Sequence, residues 1–194
     1  LRGLMKVFLS DISEILVGYQ SREGIRAYPD GSHFLLQARD FNTLHQVDWS
    51  NLTRFTPAGS TTKSEIQPGD VLFLAKGQEN FACPINCVTN HVLAANSFYI
   101  LRPNKATILP DYLAWWLNQT PAQEYIKLNR SGSSLPFLSV STLSCLEVPI
   151  PNIEMQRKIG DLELLRKKEA DLLGLYLTKK TALIQTVCLN AIIE

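Results

Sequence analysis

The last 42 residues of the chain, 153–194, contain no proline and only two glycines. Immediately before them stand Pro149 and Pro151, and a residue that precedes proline is disfavoured in the α-helical region of backbone space. Asn152 can then accept a hydrogen bond from a free N–H group at the start of a helix, and Glu154 suits the same end because the helix dipole is positive there. The sequence therefore predicts an extended approach followed by one long helix of about 60 Å.

This predicted helix is apolar over much of its surface. The apolar side chains that fall near one face, and that we predict to pack against a partner helix, are Ile159, Leu162, Leu173, Tyr176, Leu183 and Val187. Charged residues at 166, 169 and 180 interrupt that face, so a regular two-stranded leucine zipper is not indicated. A broad stripe is typical of a helix with more than one partner. Two arrangements remain open: the helix folds back onto its own domain, or it meets a second helix in a coiled coil or antiparallel bundle.

Residues 1–150 show different local signals. Short apolar runs alternate with polar turns, without the strand–helix–strand rhythm of a parallel α/β protein. The strongest helix signal runs from Asp111 to Leu128, where large apolar side chains recur, Leu128 included, and Pro121 is expected to kink or split the helix. We predict an α+β fold, with a mixed or antiparallel sheet in a domain over residues 1–150 and a long C-terminal α-helix over residues 151–194.

Composition limits what the chain does. The 194 residues carry a formal net charge of only +1, so a nucleic-acid function requires basic residues to cluster on one face. The four cysteines are scattered, which indicates reduced thiols rather than a secreted disulfide framework. No run approaches the roughly 18 apolar residues of a membrane helix, and no signal peptide is recognisable, so we expect a cytoplasmic protein that does not bind membranes.

A series of short motifs precedes and enters the predicted helix. A small-residue loop at Ser131–Pro136 is followed by an apolar strand that leads into Pro149-Ile150-Pro151, and the helix opens with Gln156-Arg157-Lys158-Ile159. This order resembles the C-terminal end of a target-recognition domain in the specificity subunits of type I restriction–modification systems. Similar segments of that family follow the same order upstream, at Phe34–Asp40, Pro68–Phe73 and Tyr112–Leu117.

The resemblance implies a division of labour. Such a specificity subunit recognises DNA and does not break bonds itself. DNA adenine methyltransferase subunits, which use S-adenosylmethionine, would assemble on it together with a restriction subunit that uses ATP and Mg. This chain itself would bind none of these cofactors.

The resemblance also raises the question of size. The family's usual member has two recognition domains, each followed by a long helix, whereas this chain has room for one of each. We therefore expect a half-subunit or a fragment. Two copies joined as a homodimer through the C-terminal helix would recognise a palindromic, bipartite DNA site, with the helix length setting the gap.

Polar loops between the predicted strands supply the side chains expected to contact double-stranded DNA. Glutamine and asparagine pair well with adenine and arginine with guanine, whereas other polar groups hold phosphates. Arg39 is ambiguous, because the adjacent Asp40 is placed to form a structural ion pair with it. The predicted DNA-binding residues are Gln20, Arg22, Arg26, Gln37, Arg39, Lys63, Lys76, Asn129, Arg130, Ser133 and Ser134.

Two other classes of function remain open from the residues alone. The near-neutral charge is compatible with a helical adaptor that binds protein and does not recognise DNA. A small metal-dependent enzyme is the other class: Cys83, Cys87 and His91 have metal-ligating side chains at an uncommon spacing for zinc, and Asp70 with Lys76 weakly suggests a nuclease. No glycine-rich phosphate loop or adenine-methyltransferase motif is present, so we predict no catalytic residue and no bound metal.

Overall fold

The structure is a computed structural model that describes residues 5–21, 24–88 and 91–193. Most of its strands precede the first long helix. Short 3₁₀ turns occupy Ala38–Asp40 and Trp49–Asn51. The strands are β1 (Met5–Phe8), β2 (Ser13–Val17), β3 (His33–Leu36), β4 (Thr53–Phe55), β5 (Val71–Leu74), β6 (Ala82–Pro84), β7 (Val92–Ala94), β8 (Phe98–Pro103) and β9 (Glu147–Ile150). The helices are α1 (Leu9–Ile12), α2 (Pro110–Leu117), α3 (Thr120–Asn129), α4 (Val140–Ser144) and α5 (Ile153–Ile193).

These strands form three sheets. β2, β8, β5 and β6 make a four-stranded antiparallel sheet in that order, and β1 pairs antiparallel with β9. The third sheet has the order β4–β3–β7, with β3 antiparallel to β4 but parallel to β7. The predicted α+β class, with mixed and antiparallel sheets before a long C-terminal helix, is confirmed.

The four-stranded sheet is buried on both faces, which explains the continuous apolar runs of its central strands. In β5, Val71 and Phe73 belong to the core that includes α2 and α4, whereas Leu72 and Leu74 belong to the core shared with the three-stranded sheet. Successive side chains of a strand point to opposite faces. One sheet therefore serves two cores, and together they form a body to which α5 is attached.

The turn before β5 is held by a buried ion pair. Asp70 is 1% exposed, accepts a hydrogen bond from the Gln67 backbone N–H at 2.8 Å and pairs with the Arg102 guanidinium at 2.8 and 2.9 Å. This hydrogen bonding raises the pKa of Arg102. Asp70 therefore has a structural role at one end of β5, while Lys76 lies past the other end, so the nuclease hypothesis is not supported.

Pro121 splits the predicted helix in two, as expected. α2 ends at Leu117, and α3 begins at Thr120 with the proline in its first turn. A proline is tolerated there because the first N–H groups of a helix have no partner within the helix. The split lets α2 and α3 pack on the body in different directions.

Large side chains of α2 and α3 differ in how deeply they are buried. The Tyr112 hydroxyl donates to Pro149 O at 2.7 Å, and Trp116 Nε1 donates to Glu147 O at 3.2 Å, so α2 is locked onto β9. Leu128 was predicted to make a similar apolar contact, and this is wrong, since it is 84% exposed. Ala122 and Ile126 are the α3 side chains buried in the core, and Tyr125 packs against it while partly buried.

α5 begins as predicted and then packs on the body. Asn152 Oδ1 accepts a hydrogen bond from the Met155 N–H at 2.9 Å, which is the geometry of an N-cap. Gly160 lies so close to α2 that a Cβ at this position would come within 2.9 Å of Asp111 Cβ. Ile159, predicted to face a partner helix, instead packs against the core of its own body.

Gln156 is the polar centre of this contact. Its Oε1 accepts a hydrogen bond from the Leu109 N–H at 2.9 Å, and its Nε2 donates to Thr107 O at 3.1 Å and Pro151 O at 2.9 Å. The side chain is almost completely buried. Since its amide bonds three backbone groups, Gln156 fixes the start of α5 to the loop before α2.

The C-terminal half of α5 leaves the body. A hydrogen bond of 3.0 Å from Gln46 Nε2 to Asp171 Oδ2 joins the body to the middle of the helix. All residues from 172 to 192, which we call the distal arm, are exposed. The helix therefore does not fold back onto its own domain along its length. No described helix combines the length and the apolar character needed to cross a membrane.

Candidate nucleic-acid interface

Five strand ends meet along one side of the body, which we call the loop edge. β2 and β5 end where β8 begins, because β8 is antiparallel to both. β3 and β7 run parallel and end together at the same side. The segments that leave β2, β3 and β5 carry Gln20, Gln37 and Lys76. Pairing of the strands thus collects residues that are far apart in the sequence.

The turn 95–98, between β7 and β8, lies at the centre of the loop edge. The Ala95 N–H donates to Leu36 O at 2.9 Å, at the end of β3. On the other side of the turn, the Lys76 N–H donates to Ser97 O at 3.2 Å, just past the end of β5. These bonds hold the loops that follow β3 and β5 in one fixed arrangement.

Asn96 stands at the tip of this turn, and the sequence analysis missed it. Its side chain is half-buried and makes no hydrogen bond to another described residue. An amide presented in this way can pair with an adenine edge. The signal in the sequence was the Asn-Ser break between two apolar runs, which is also what any tight turn contains.

The small-residue loop 131–136 joins the loop edge next to β5. The Gly77 N–H donates to Pro136 O at 3.0 Å. Gly132 has φ +91°, and a Cβ there would lie 3.0 Å from a backbone oxygen, so this position favours glycine. Ser133 and Ser134 are exposed at the tip of the loop, where their hydroxyl and N–H groups can contact phosphates.

Arg130 connects this loop to the turn after β5. Its Nη1 donates to Gln78 O at 2.7 Å and to Asn80 Oδ1 at 3.2 Å. Gln78 Nε2 donates in turn to Ser134 O at 3.5 Å. The structure thereby brings together four predicted residues, which are Lys76, Arg130, Ser133 and Ser134.

Gln37 and Arg39 follow β3 on the other side of the turn. Asp40 is buried, and its carboxylate accepts a hydrogen bond from the Gln37 N–H at 2.7 Å. Arg39 Nε lies 3.8 Å from Asp40 Oδ1, and its Nη2 donates to Thr53 Oγ1 at 2.7 Å. The predicted ion pair is thus present but long. Because the Arg39 side chain is 68% exposed, it remains accessible from solvent.

The remaining predicted residues are more widely spread. Gln20 and Lys63 are exposed, and both lie near the end of β2. Arg26 lines a separate cavity of about 280 Å³. Asn129 donates to a carbonyl oxygen of its own helix at 2.8 Å, so its side chain has a local role in ending α3. Arg22 lies outside the described residues.

A cleft of about 620 Å³ opens between the loop after β3 and the turn after β5. Lys76 and Phe81 are among the residues that line it. The His45 ring stacks on Phe81, with centroids 4.2 Å apart. Burial lowers the pKa of His45, and the positive charge of Lys167 lowers it further. The neutral form of the His45 imidazole is therefore favoured. The positive charge among the residues that line this cleft comes from Lys76.

The metal-ligating residues noted in the sequence are not assembled. Cys83 is buried in β6, where burial raises the pKa of its thiol to about 11, and Cys87 is exposed. His91 Nδ1 lies 3.3 Å from Glu65 Oε1 instead. Within the described ranges, no three histidine, cysteine, aspartate or glutamate side chains are grouped so that they could hold a metal ion. The hypothesis of a zinc enzyme is not supported.

Sequence comparison connects the chain to one class of proteins. No protein-family model matches it. An alignment 105 residues long, which covers 52% of the chain, shows 30% identity to the specificity subunit of the type I restriction enzyme HindI from Haemophilus influenzae. The chain spans only 22% of the length of that curated relative.

Solved structures share the fold over nearly the whole chain. The S subunit of the type I restriction–modification system from M. genitalium gives a TM-score of 0.59 over 90% of this chain at 15% identity. The HsdS subunit from Thermoanaerobacter tengcongensis gives 0.59 over 91% at 19% identity. A structure from work on assembly and conformational transition of the type I system gives 0.66 over 96% at 18% identity.

The extent of these matches is informative. The chain covers 42%, 40% and 44% of the three structural neighbours. One body with one long helix thus corresponds to somewhat less than half of each neighbour. The resemblance inferred from the sequence motifs is confirmed at this level, as a single domain of the specificity-subunit fold with its helix.

Proposed function

We propose that this chain, which matches type I specificity subunits in sequence and fold, is a DNA-recognition half of such a subunit. The body recognises one half-site of a few base pairs, and α5 sets where that body stands relative to a second recognition domain. The observation that carries the proposal is the loop edge. It gathers polar and basic side chains from separate segments onto one surface.

Within the loop edge, some residues contact DNA phosphates and others contact bases. Lys76, Arg130 and the serine loop hold phosphates, which gives affinity and register without sequence information. The amides of Asn96, at the centre of the loop edge, and of Gln37, on the β3 side of that turn, face base edges in a groove, where such side chains discriminate adenine from other bases. The net charge of the chain is small, so this local clustering supplies the electrostatic attraction.

The distal arm supplies the second element of the proposal. It pairs with the arm of another copy, or with the second helix of a longer subunit, and this pairing holds two recognition domains on one duplex. DNA adenine methyltransferase and restriction subunits assemble on the resulting complex in the cytoplasm. S-adenosylmethionine, ATP and Mg belong to those subunits, and this chain adds recognition rather than catalysis.

The proposal is tested by binding to random-sequence duplex DNA at about 50 and 200 mM salt. We expect affinity that falls steeply with salt, because lysine and arginine replace counterions on the phosphates. The variant Lys76→Ala with Arg130→Ala should reduce the slope of log K against log salt by about 2.

The matched control is Lys105→Ala with Arg157→Ala, which removes two exposed charges away from the loop edge. This control should keep the wild-type slope, and unfolding midpoints should show that both variants fold. If the wild-type chain binds no duplex at low salt, even together with methyltransferase subunits, the DNA function is refuted. A chain that still self-associates under those conditions would instead favour the helical adaptor.

A further inference from the structure

A pair of histidines lies at the end of the three-stranded sheet away from the loop edge. His33 is the first residue of β3, and His91 immediately precedes β7. Their ring centroids are 5.2 Å apart, with the ring planes at 56°. We propose that His33 and His91 bind one divalent transition-metal ion, such as Zn²⁺, which links the starts of these two strands.

The backbone holds the two imidazoles in place. β3 and β7 are paired in parallel, with Phe34 opposite Val92, and the Phe34 N–H donates to His91 O at 2.9 Å. His91 has φ +62°, a left-handed backbone conformation that costs energy in a residue other than glycine. The separation of the two backbone segments that carry the rings is therefore set by strand pairing.

Each ring also has an oxygen beside Nδ1. His33 Nδ1 lies 2.9 Å from Ser32 Oγ, and His91 Nδ1 lies 3.3 Å from Glu65 Oε1. When Nδ1 carries the proton and donates to such an oxygen, Nε2 presents a lone pair. An outer partner of this kind, often a carboxylate, is the usual companion of a metal-bound histidine because it fixes tautomer and orientation.

The spacing suits a shared ion. Two imidazole nitrogens at about 2.0–2.1 Å from a tetrahedral zinc ion place their ring centroids roughly 5 Å apart. Imidazole prefers Zn²⁺, Cu²⁺ and Ni²⁺ over the hard cations Mg²⁺ and Ca²⁺. The protein supplies two ligands to the ion, and water supplies the others. The site therefore needs no third protein ligand, and among the described residues no group of three metal-ligating side chains is present.

Such a site would be structural. It joins residues 58 positions apart in the sequence (91 minus 33), at the end of the three-stranded sheet opposite the loop edge. An ion that binds only the folded chain stabilises it by mass action. The proposal is therefore independent of DNA recognition, and either can fail without the other.

The test is calorimetric titration of the full chain with Zn²⁺. We expect one ion per chain, a Tm that rises with free Zn²⁺, and little response to Mg²⁺. The variants His33→Gln and His91→Asn should each weaken Zn²⁺ binding at least tenfold, while Glu65→Gln should weaken it less than either. Asparagine is chosen at position 91 because it tolerates positive φ.

The matched control is His45→Asn, since His45 also has positive φ, at +55°, but lies beside Phe81 on another surface. This variant should bind Zn²⁺ like the wild type. Equal loss in all three histidine variants, or Zn²⁺ binding that survives in the His33→Gln, His91→Asn double variant, would overturn the proposal. So would a cobalt–thiolate absorption band on Co²⁺ titration, because it would assign the ion to cysteines. Unfolding midpoints in EDTA check that the variants fold without metal.

Discussion

The body and the distal arm are built from the same apolar residues but satisfy them in opposite ways. Leu72 and Leu101 in the four-stranded sheet are completely buried, whereas Leu172 and Leu183 in the distal arm are 67% and 65% exposed. A fully buried leucine contributes about 1.5–3 kcal/mol relative to an exposed one. The body obtains this within one chain, whereas the leucines of the distal arm stay exposed in the described structure.

The change from buried to exposed side chains occurs within α5. Its most buried side chain among the polar residues is Gln156, and its leucines beyond residue 171 are all exposed. Burial of a side chain along this helix therefore depends on whether the body lies next to that turn, rather than on the type of residue. The first turns of α5 are packed into the body, whereas every residue of the distal arm is exposed.

The largest expected effect comes from cutting the chain on either side of this transition. A chain that ends at Lys168 should remain folded, with most of the stability of the full chain. A chain that ends at Asn152 loses Gln156 and Ile159, leaves the backbone groups of the 107–109 loop without partners, and should lose roughly 3 kcal/mol or more. Urea unfolding measures both.

Equal stability of the two truncated chains would contradict this division and would place the end of the body at residue 150.

A matched point variant separates the loss of the Gln156 hydrogen bonds from the loss of the rest of the helix. Gln156→Ala should lower the free energy of unfolding by about 1–3 kcal/mol, because it unpairs buried groups. Gln185→Ala, at an exposed position of the same helix, should leave that free energy unchanged within experimental scatter.

The second effect concerns association of the distal arm. Replacing Leu173 and Leu183 by glutamate should weaken self-association at least about 100-fold, since each leucine loses roughly 1.5–3 kcal/mol of burial. The unfolding midpoint of the body should not change. Sedimentation equilibrium measures the association constant.

The control for the arm is Thr181→Glu with Gln185→Glu, which adds the same charge on the other side of the helix. This control should associate like the wild type. A wild-type chain that is monomeric at high micromolar concentration would refute homodimerisation, and an equal effect of both pairs would show that charge alone, rather than apolar contact, controls association.

A smaller effect is expected from the tip of the loop edge. Asn96→Ala should weaken binding to a selected duplex site by about 1–3 kcal/mol and leave the affinity for random duplex unchanged, because an amide that recognises a base adds specificity. Selection from a random library followed by anisotropy titrations would measure both. Asn190→Ala, in the distal arm, should alter neither, and an equal loss on both duplexes would assign Asn96 a structural role.

The smallest effect is a pH dependence where the body meets α5. Burial lowers the pKa of His45 in the folded chain, while the unfolded chain retains a value near 6.5. The unfolded state therefore binds the proton more readily, and stability, complete above about pH 6.5, declines as pH falls toward the lowered folded value. His45→Asn should show a shallower decline in the urea midpoint between pH 7.5 and 5.5, and identical profiles would exclude His45 as its source.

Several elements were predictable because their signals are local. The Pro149–Asn152 approach and the proline-free run that follows specified α5 and its cap, and Pro121 specified the break between α2 and α3. The motif order around residues 131–159 gave the resemblance to type I specificity subunits, whose fold this chain shares. Each of these depends on backbone chemistry within a few residues, which a single sequence contains.

Other features depend on contacts between distant segments and were not predictable. Ile159 has the same apolar signal as Leu173, yet α2 stands beside one and solvent beside the other. Asn96 became a candidate only when the pairing of β3, β5, β7 and β8 placed its turn at the centre of the loop edge. The sequence could list Lys76 and Arg130 but could not show that they lie in one cluster.

The sequence by itself determined the class of fold, the position and length of the long helix, and the family to which its motifs point. Only the tertiary structure decided where the body ends along that helix, which apolar residues are left for a partner, and which loops meet in one surface. The physical reason is that helix formation and capping are governed by neighbours in the chain. Burial and juxtaposition are governed by neighbours in space, and in this protein the strand pairing that creates those neighbours joins segments tens of residues apart.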